Sequence, residues 1–320
     1  MKTPRYMSDD QPTDLLSALD IPKEILSTVL SFVSLHDVLN LRLVCSQYKD
    51  TIFDATYNLW MFHDEELHRS LENTGQPYYM SARRIRMLLK HFPNLRSFRL
   101  EGVTLTYHGR IRGGNGAAIS PRYLCSLLSD NYRKNLESLE LYNISEEQAS
   151  ADQDRGMSAP PSNSLFADIH LENLRTLRIV GKISHTENPL YQSLLRASAQ
   201  LVDLALGGCQ NVADHDVEDV ILPRFRNTLK NLSLSECARI ERPTIESPIL
   251  TSLTLQRCNN LQDLLNVNCP SLTTLDLSHC EYIDVGWMFV FGTELNDKFP
   301  QLKILRLRGN KVLRTVKISS

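Results

Sequence analysis

The stretch HDEELH, residues 63–68, puts two histidines and three carboxylates within six positions, the residue types of a zinc-dependent hydrolase helix. Such a helix needs its two histidines four apart, on one face. His63 and His68 are five apart, about 140° around a helix, so they do not share a ligand face. The seven cysteines (Cys45, Cys125, Cys209, Cys237, Cys258, Cys269 and Cys280) form no C-x-x-C pair, the spacing that zinc sites use. TYHGRIRGGNGA (106–117) is rich in glycine but lacks both G-x-x-x-x-G-K-[ST] and G-x-G-x-x-G, so it reads as a flexible loop and not as a phosphate cradle. There is no G-x-S-x-G elbow. The expectation is a chain without catalytic residues, metal or cofactor.

What these residues are mounted on is more informative. The pattern L-x-x-L-x-L recurs as LRSFRL (95–100, with Phe98 in the middle slot), LESLEL (136–141), LRTLRI (174–179) and LVDLAL (201–206). It continues as LKNLSL (229–234), LTSLTL (250–255), LTTLDL (272–277) and LKILRL (302–307). Successive copies start 41, 38, 27, 28, 21, 22 and 30 residues apart. In each copy the second and third apolar residues are two apart, so they share one face of a short strand. A single unit encloses no core. Stacking the units as parallel strands makes a continuous interior, held mostly by contacts between neighbours.

The returning segments differ in kind. SPRYLCSLLSD (120–130) and NPLYQSLLRAS (188–198) have a capping residue, a proline at the first helical position and leucines on one face, so both predict helices. Asp214 stands ahead of Val217, Val220 and Ile221 in the same way. The copies that are 21 and 22 residues long leave too little chain for a helix and two loops. Around Pro243, Pro248 and Pro270 the outer side should be extended, with the change near residue 235. SEEQASADQDRGMSAPPSNS (145–164) is acidic, rich in serine and proline and poor in large apolar residues, so it is expected to be a disordered insertion.

The repeats resemble the cysteine-containing leucine-rich repeats. Four copies place a cysteine three residues after the last strand leucine, at Cys209, Cys237, Cys258 and Cys280, and CQNVADHDV (209–217) is similar to that subtype's continuation. The resemblance implies a solenoid with parallel strands on a concave side, helices or irregular segments on a convex side, and a small buried thiol where the chain leaves each strand.

Ahead of the repeats, IPKEILSTVLSFVSLHDVLNLRLVCS (21–46) follows another pattern. Pro22 suits a first helical turn, and Ile25, Leu26, Leu30, Val29 and Val33 make a broad apolar stripe. Ser34-Leu35-His36-Asp37 fits a capping box opening a second helix, and a third helix is expected from Ser46 to near Trp60. Three short helices in about forty residues are marginal alone unless something covers their apolar surface. This segment resembles an F-box: Ile21-Pro22, Glu24-Ile25-Leu26, Asp37-Val38, and Arg42 with Val44 and Cys45 match that motif, with Ile21 and Val38 standing for leucines.

The fold class expected is α/β: a three-helix F-box followed by a leucine-rich-repeat solenoid. The division expected is a disordered tail (1–19), the F-box (20–62), linker helices (63–90) and the repeats (91–320). The resemblance implies the non-catalytic substrate-recognition subunit of an SCF-type (Skp-cullin-F-box) ubiquitin ligase. The F-box would bind the Skp-type adaptor, and through it a cullin-RING ligase, while the repeats recruit a protein substrate. Ile21, Pro22, Ile25, Leu26, Leu30 and Leu35 are the candidate adaptor contacts; some of these could instead fill the bundle's interior, and the sequence leaves both roles open. Residues between the strand leucines should face the concave side, which marks Arg99, Glu140, Tyr142, Arg178, Asp276, Arg306 and Arg308 as candidate substrate contacts. A binding scaffold that acts without ubiquitination is the alternative. A net charge of -2 gives no case for nucleic-acid or membrane binding. The first twenty residues hold no apolar run like a secretory signal, so reduced thiols and a cytoplasmic or nuclear location are expected.

Overall fold

The computed structural model describes residues 58–62, 94–105, 117–119, 135–146, 171–183, 190–283 and 298–310. The strands are β1 (Asn58–Phe62), β2 (Ser97–Glu101), β3 (Val103–Leu105), β4 (Ala117–Ile119), β5 (Ser138–Glu146), β6 (Thr176–Ile183) and β7 (Asp203–Cys209). They continue with β8 (Asn231–Ser233), β9 (Ile245–Glu246), β10 (Ser252–Thr254), β11 (Val267–Asn268), β12 (Thr274–Asp276) and β13 (Ile304–Arg306). The main sheet runs β1-β2-β5-β6-β7-β8-β10-β12-β13, with β3 and β4 branching beside β5. Its spatial order is therefore the order of the chain, and the pairings described are parallel. Parallel neighbours require a crossover between strands, and the chain between two copies of the repeat is that crossover. Over the described residues the protein is α/β, with a mostly parallel sheet and few helices.

Register shows why the leucines recur. Leu59, Phe98, Leu139, Leu177, Leu204, Leu232, Leu253, Leu275 and Leu305 stand opposite one another in successive strands. From Phe98 to Leu275 this column is buried at 1% exposure or less. Slipping any strand by one residue would turn its leucine to solvent. The column packs on residues from the outer side, including Leu194, Leu195, Val217, Ile221, Phe225, Ile245 and Val267.

The outer side changes character along the chain as the repeat lengths require. Helix α1 (Leu190–Ala197) returns from β6. A π-helical segment, α2 (Asp216–Ile221), runs into α3 (Leu222–Phe225) after β7. Beyond residue 225 the short repeats return through β9 and β11, which pair with each other. Extended segments leave amide groups without helical partners, and side chains of the preceding repeat meet several of them. The Asp214 carboxylate accepts from the amides of Glu241 and Arg242 at 3.1 and 2.9 Å, and Glu218 accepts from Thr244 at 2.9 Å. Asp214 is thus not a helix cap. The buried Asp216 holds the turn instead, accepting from the Ala213 amide at 3.0 Å.

Two boundaries differ from the sequence reading. Residues 58–62 are a strand, not the end of a third helix near Trp60, and β1 pairs with β2 from Asn58↔Ser97 to Phe62↔Glu101. The sheet therefore starts within the range 20–62 assigned to the F-box, well before residue 91. NLWMF has the bulk and the alternation of a strand, and a neighbouring strand edge decided its state over its helical spacing. Strand β5 also reaches Glu146, two residues into the stretch 145–164 expected to be disordered. The remainder of that stretch, the predicted helix at 120–130 and the linker range 63–90 lie outside the described residues.

One backbone conformation recurs where most of the strands bend or end. Gly102, Asn143, Gly208, Glu236, Arg257, His279 and Gly309, each two residues beyond a strand leucine, have positive φ between 52 and 76°. In that conformation the amides of Gly208, Glu236, Arg257 and His279 reach a carbonyl of the next strand at 2.7 to 2.9 Å. Gly208 is the most constrained. A Cβ there would lie 2.3 Å from the Gly181 carbonyl oxygen, where β6 shifts register after Val180. Left-handed backbone alone costs a non-glycine residue about 1–2 kcal/mol. Gly208→Ala should therefore lower the unfolding free energy in urea by more than ~2 kcal/mol, because a carbonyl cannot swing aside as a side-chain tip can. An unchanged midpoint would refute this account of the corner.

Candidate functional site

The four cysteines of the repeats sit immediately after these corners. Cys209, Cys237, Cys258 and Cys280 are fully buried and free, as is Cys269. The Cys237, Cys258 and Cys280 thiols donate to the carbonyls of Leu206, Leu234 and Leu255 at 3.0, 3.0 and 2.9 Å. Each acceptor is the last strand leucine of the preceding repeat, so each thiol joins two repeats. In the final copy Asn310 replaces the cysteine, and its carbonyl oxygen accepts from the Cys280 amide at 2.9 Å. Burial, and then the neighbouring Cys209, push the Cys237 thiol well above its ordinary range. Cys258 is raised likewise, by burial first and then by Cys237. Burial raises Cys269 and Cys280 to about 11. A neutral, enclosed thiol is neither nucleophile nor metal ligand. Among the described residues no cluster of three or more histidine, cysteine or acidic side chains could hold a metal ion.

The opposite face of the sheet is open and polar. Arg99, Glu140, Arg178, Ala205, Ser233, Thr254, Asp276 and Arg306 stand opposite one another in successive strands, alternating with the buried leucines. All seven candidate substrate contacts belong to described residues. Arg99, Glu140, Arg178, Asp276 and Arg306 lie in this column, Tyr142 follows in β5, and Arg308 follows β13.

The structure brings four of them together. Arg99 bonds to Glu101 at 3.1 Å, lies 4.0 Å from Glu140 and stacks over the Tyr142 ring at 4.2 Å. Arg178 does not pair with Glu140, its neighbour in register. It donates to the Asp203 carboxylate at 2.8 Å and bonds to the Tyr142 side chain. The Asp203 bond, then the Tyr142 bond, hold the guanidinium above its already high ordinary value, so it is charged at any working pH. Asp276 and Arg306 form a separate pair at 3.9 Å. The strand pattern places Asp203 and Glu101 on this face but does not mark them as partners. Asp203 meets Arg178 on the diagonal between β6 and β7, and Glu101 meets Arg99 two residues along β2; a two-residue period carries no information about either choice of partner.

Between the two charged banks the face dips. Ala205, Ser233 and Thr254 succeed each other in the middle column with no charge. Together with Tyr142, Arg178 and Asp203 they line a hollow of about 300 Å³. Four strand steps separate Arg178 from Asp276, roughly 19 Å at the usual spacing.

The candidate adaptor contacts Ile21, Pro22, Ile25, Leu26, Leu30 and Leu35 lie outside the described residues, as do HDEELH (63–68), Cys45 and Cys125. The front segment is reached by comparison instead. The family model described as F-box-like matches residues 18–64. These residues are an F-box-like domain, and its last part includes β1. No curated protein matches the chain. A solved structure described as the crystal structure of the Rad7 and Elc1 complex in yeast aligns with 90% of this chain and 87% of that one, at 15% identity and a TM-score of 0.31. Among the described residues no helix is long and apolar enough to cross a membrane.

In a Cys45→Ser, Cys125→Ser background, the five described thiols should leave a disulfide reagent unreacted at pH 8 until the chain is unfolded, then react within the mixing time. A folded pKa raised above the unfolded value favours the native state below about 9, and that advantage fades as pH climbs towards 11. Cys269 and Cys280 should therefore react first as pH is raised. Rapid labelling at pH 8 with intact circular dichroism would overturn the assignment of these thiols as inert.

Proposed function

We propose that this chain is the substrate-recognition subunit of an SCF-type ubiquitin ligase. In this reading the F-box-like domain binds a Skp-type adaptor and through it a cullin-RING ligase, and the repeats form a leucine-rich-repeat solenoid that holds the protein to be ubiquitinated. The observation that carries the reading is the F-box-like match at residues 18–64, in front of a sheet whose open face is lined by polar residues. The chain itself supplies no catalytic group. It raises the rate of transfer by holding the client close to the ligase, a matter of proximity and orientation. Such a subunit works in the cytoplasm or nucleus, where its thiols stay reduced.

Within the front segment Ile21, Pro22, Ile25, Leu26, Leu30 and Leu35 are the adaptor contacts. A bundle this small gains its stability by burying apolar surface on a second protein. Tagged chain should co-purify with a Skp-type adaptor and a cullin. The double variant Ile21→Glu, Pro22→Ala should lose both while the circular dichroism of the repeats is unchanged. Full retention of the adaptor by the variant would refute the contact assignment. Adaptor without cullin would favour a scaffold that acts without ubiquitination.

A further inference from the structure

We propose that the hollow over β7, β8 and β10 is the anchor site for the client, and that it takes one tyrosine or tryptophan side chain from an unphosphorylated segment. This rests on the reading that the open face holds a client, and adds where and by what chemistry.

The size of the hollow sets the scale. About 300 Å³ is the lower limit of small-molecule pockets and suits a single large side chain. The space exists because three successive strands put small residues, Ala205, Ser233 and Thr254, where the strands on either side put charged ones.

Charge then selects the occupant. Among the described residues the one guanidinium bordering the hollow, that of Arg178, is bonded to Asp203 at 2.8 Å. An incoming phosphate or carboxylate would face the Asp203 carboxylate as well as the cation, with Glu140 and Glu101 close behind around Arg99. It would gain no uncompensated positive charge. An incoming lysine or arginine would meet Arg178, whose guanidinium already occupies the Asp203 carboxylate. A neutral group meets neither penalty.

Shape and hydrogen bonding narrow the neutral choices. A guanidinium fixed by a carboxylate presents a flat face, on which aromatic rings stack. The hydroxyls of Ser233, Ser252 and Thr254 line the hollow and exchange hydrogen bonds with a polar ring edge. Tyrosine and tryptophan combine a large apolar body with one such edge, which is why they dominate anchor positions in protein interfaces.

The test uses the full chain co-expressed with a Skp-type adaptor, panned against a display library of random peptides and, in parallel, a synthetic array with a central phosphoserine or phosphotyrosine. Retained peptides should be enriched in tyrosine or tryptophan. Ala205→Trp, which fills the hollow from the solvent side of β7, should weaken a retained peptide by at least about tenfold, as should changing the peptide's aromatic residue to alanine. Circular dichroism of the same samples reports whether the filled variant is folded; should it not fold, Ser233→Tyr plugs the hollow from β8. Retained peptides indifferent to both plugs, a preference for phosphopeptides, or no retained peptide from either source would each overturn the proposal. Loss of adaptor binding by the unmodified chain would instead refute the ligase reading, and leave the plug result to judge the hollow by itself.

Discussion

The structure depends on one column of side chains. From Phe98 to Leu275, each strand of the main sheet contributes one residue that stands on the equivalent residue of its neighbour, and later strands contribute little else. A strand of three residues with one buried leucine has no stability alone. It exists because the strand before it and the strand after it complete its hydrogen bonds and enclose its leucine. Order therefore spreads from neighbour to neighbour. Because register is locked by burial, the solvent-facing residues are locked as well, one strand spacing apart.

That locking gives the open face its chemistry. Arg99 and Arg178 are held among Glu101, Glu140, Asp203 and Tyr142 in a network whose geometry the backbone imposes. Isolated surface ion pairs contribute little. Here their effect is to settle charge in advance, so that Arg99 and Arg178 are offered already bonded. The corners add a second constraint. After left-handed Glu236, Arg257 and His279 the next position is fully buried, and a thiol fits there while donating to the strand behind it. The same burial that suits cysteine to the corner removes its reactivity.

Residues 58–62 belong both to the F-box-like match and to the sheet, where all five pair with β2. The strand that begins the ladder is also the last part of the F-box-like domain. Under the proposed function such continuity serves transfer, since orientation as well as nearness governs it.

Much of this was legible in the sequence. The period-2 spacing of LTSLTL or LTTLDL states which residues are buried and which are open, because strand geometry alone carries that information. The short return segments around Pro243, Pro248 and Pro270 announced an extended outer side because chain length cannot be argued with. The front motif needed no fold to be recognised. What only the tertiary structure decided were relations between strands. Asp203, and not Glu140, holds Arg178 because the diagonal neighbour is set by packing and not by spacing. NLWMF is a strand because β2 offers it an edge. Glu236, Arg257 and His279 take a backbone that their types disfavour, since the next strand's carbonyls are there to receive their amides. The hollow, too, is a property of three strands at once: Ala205, Ser233 and Thr254 are unremarked residues until register sets them side by side. Local pattern fixes which way a side chain faces; which other side chain it meets is written only in three dimensions.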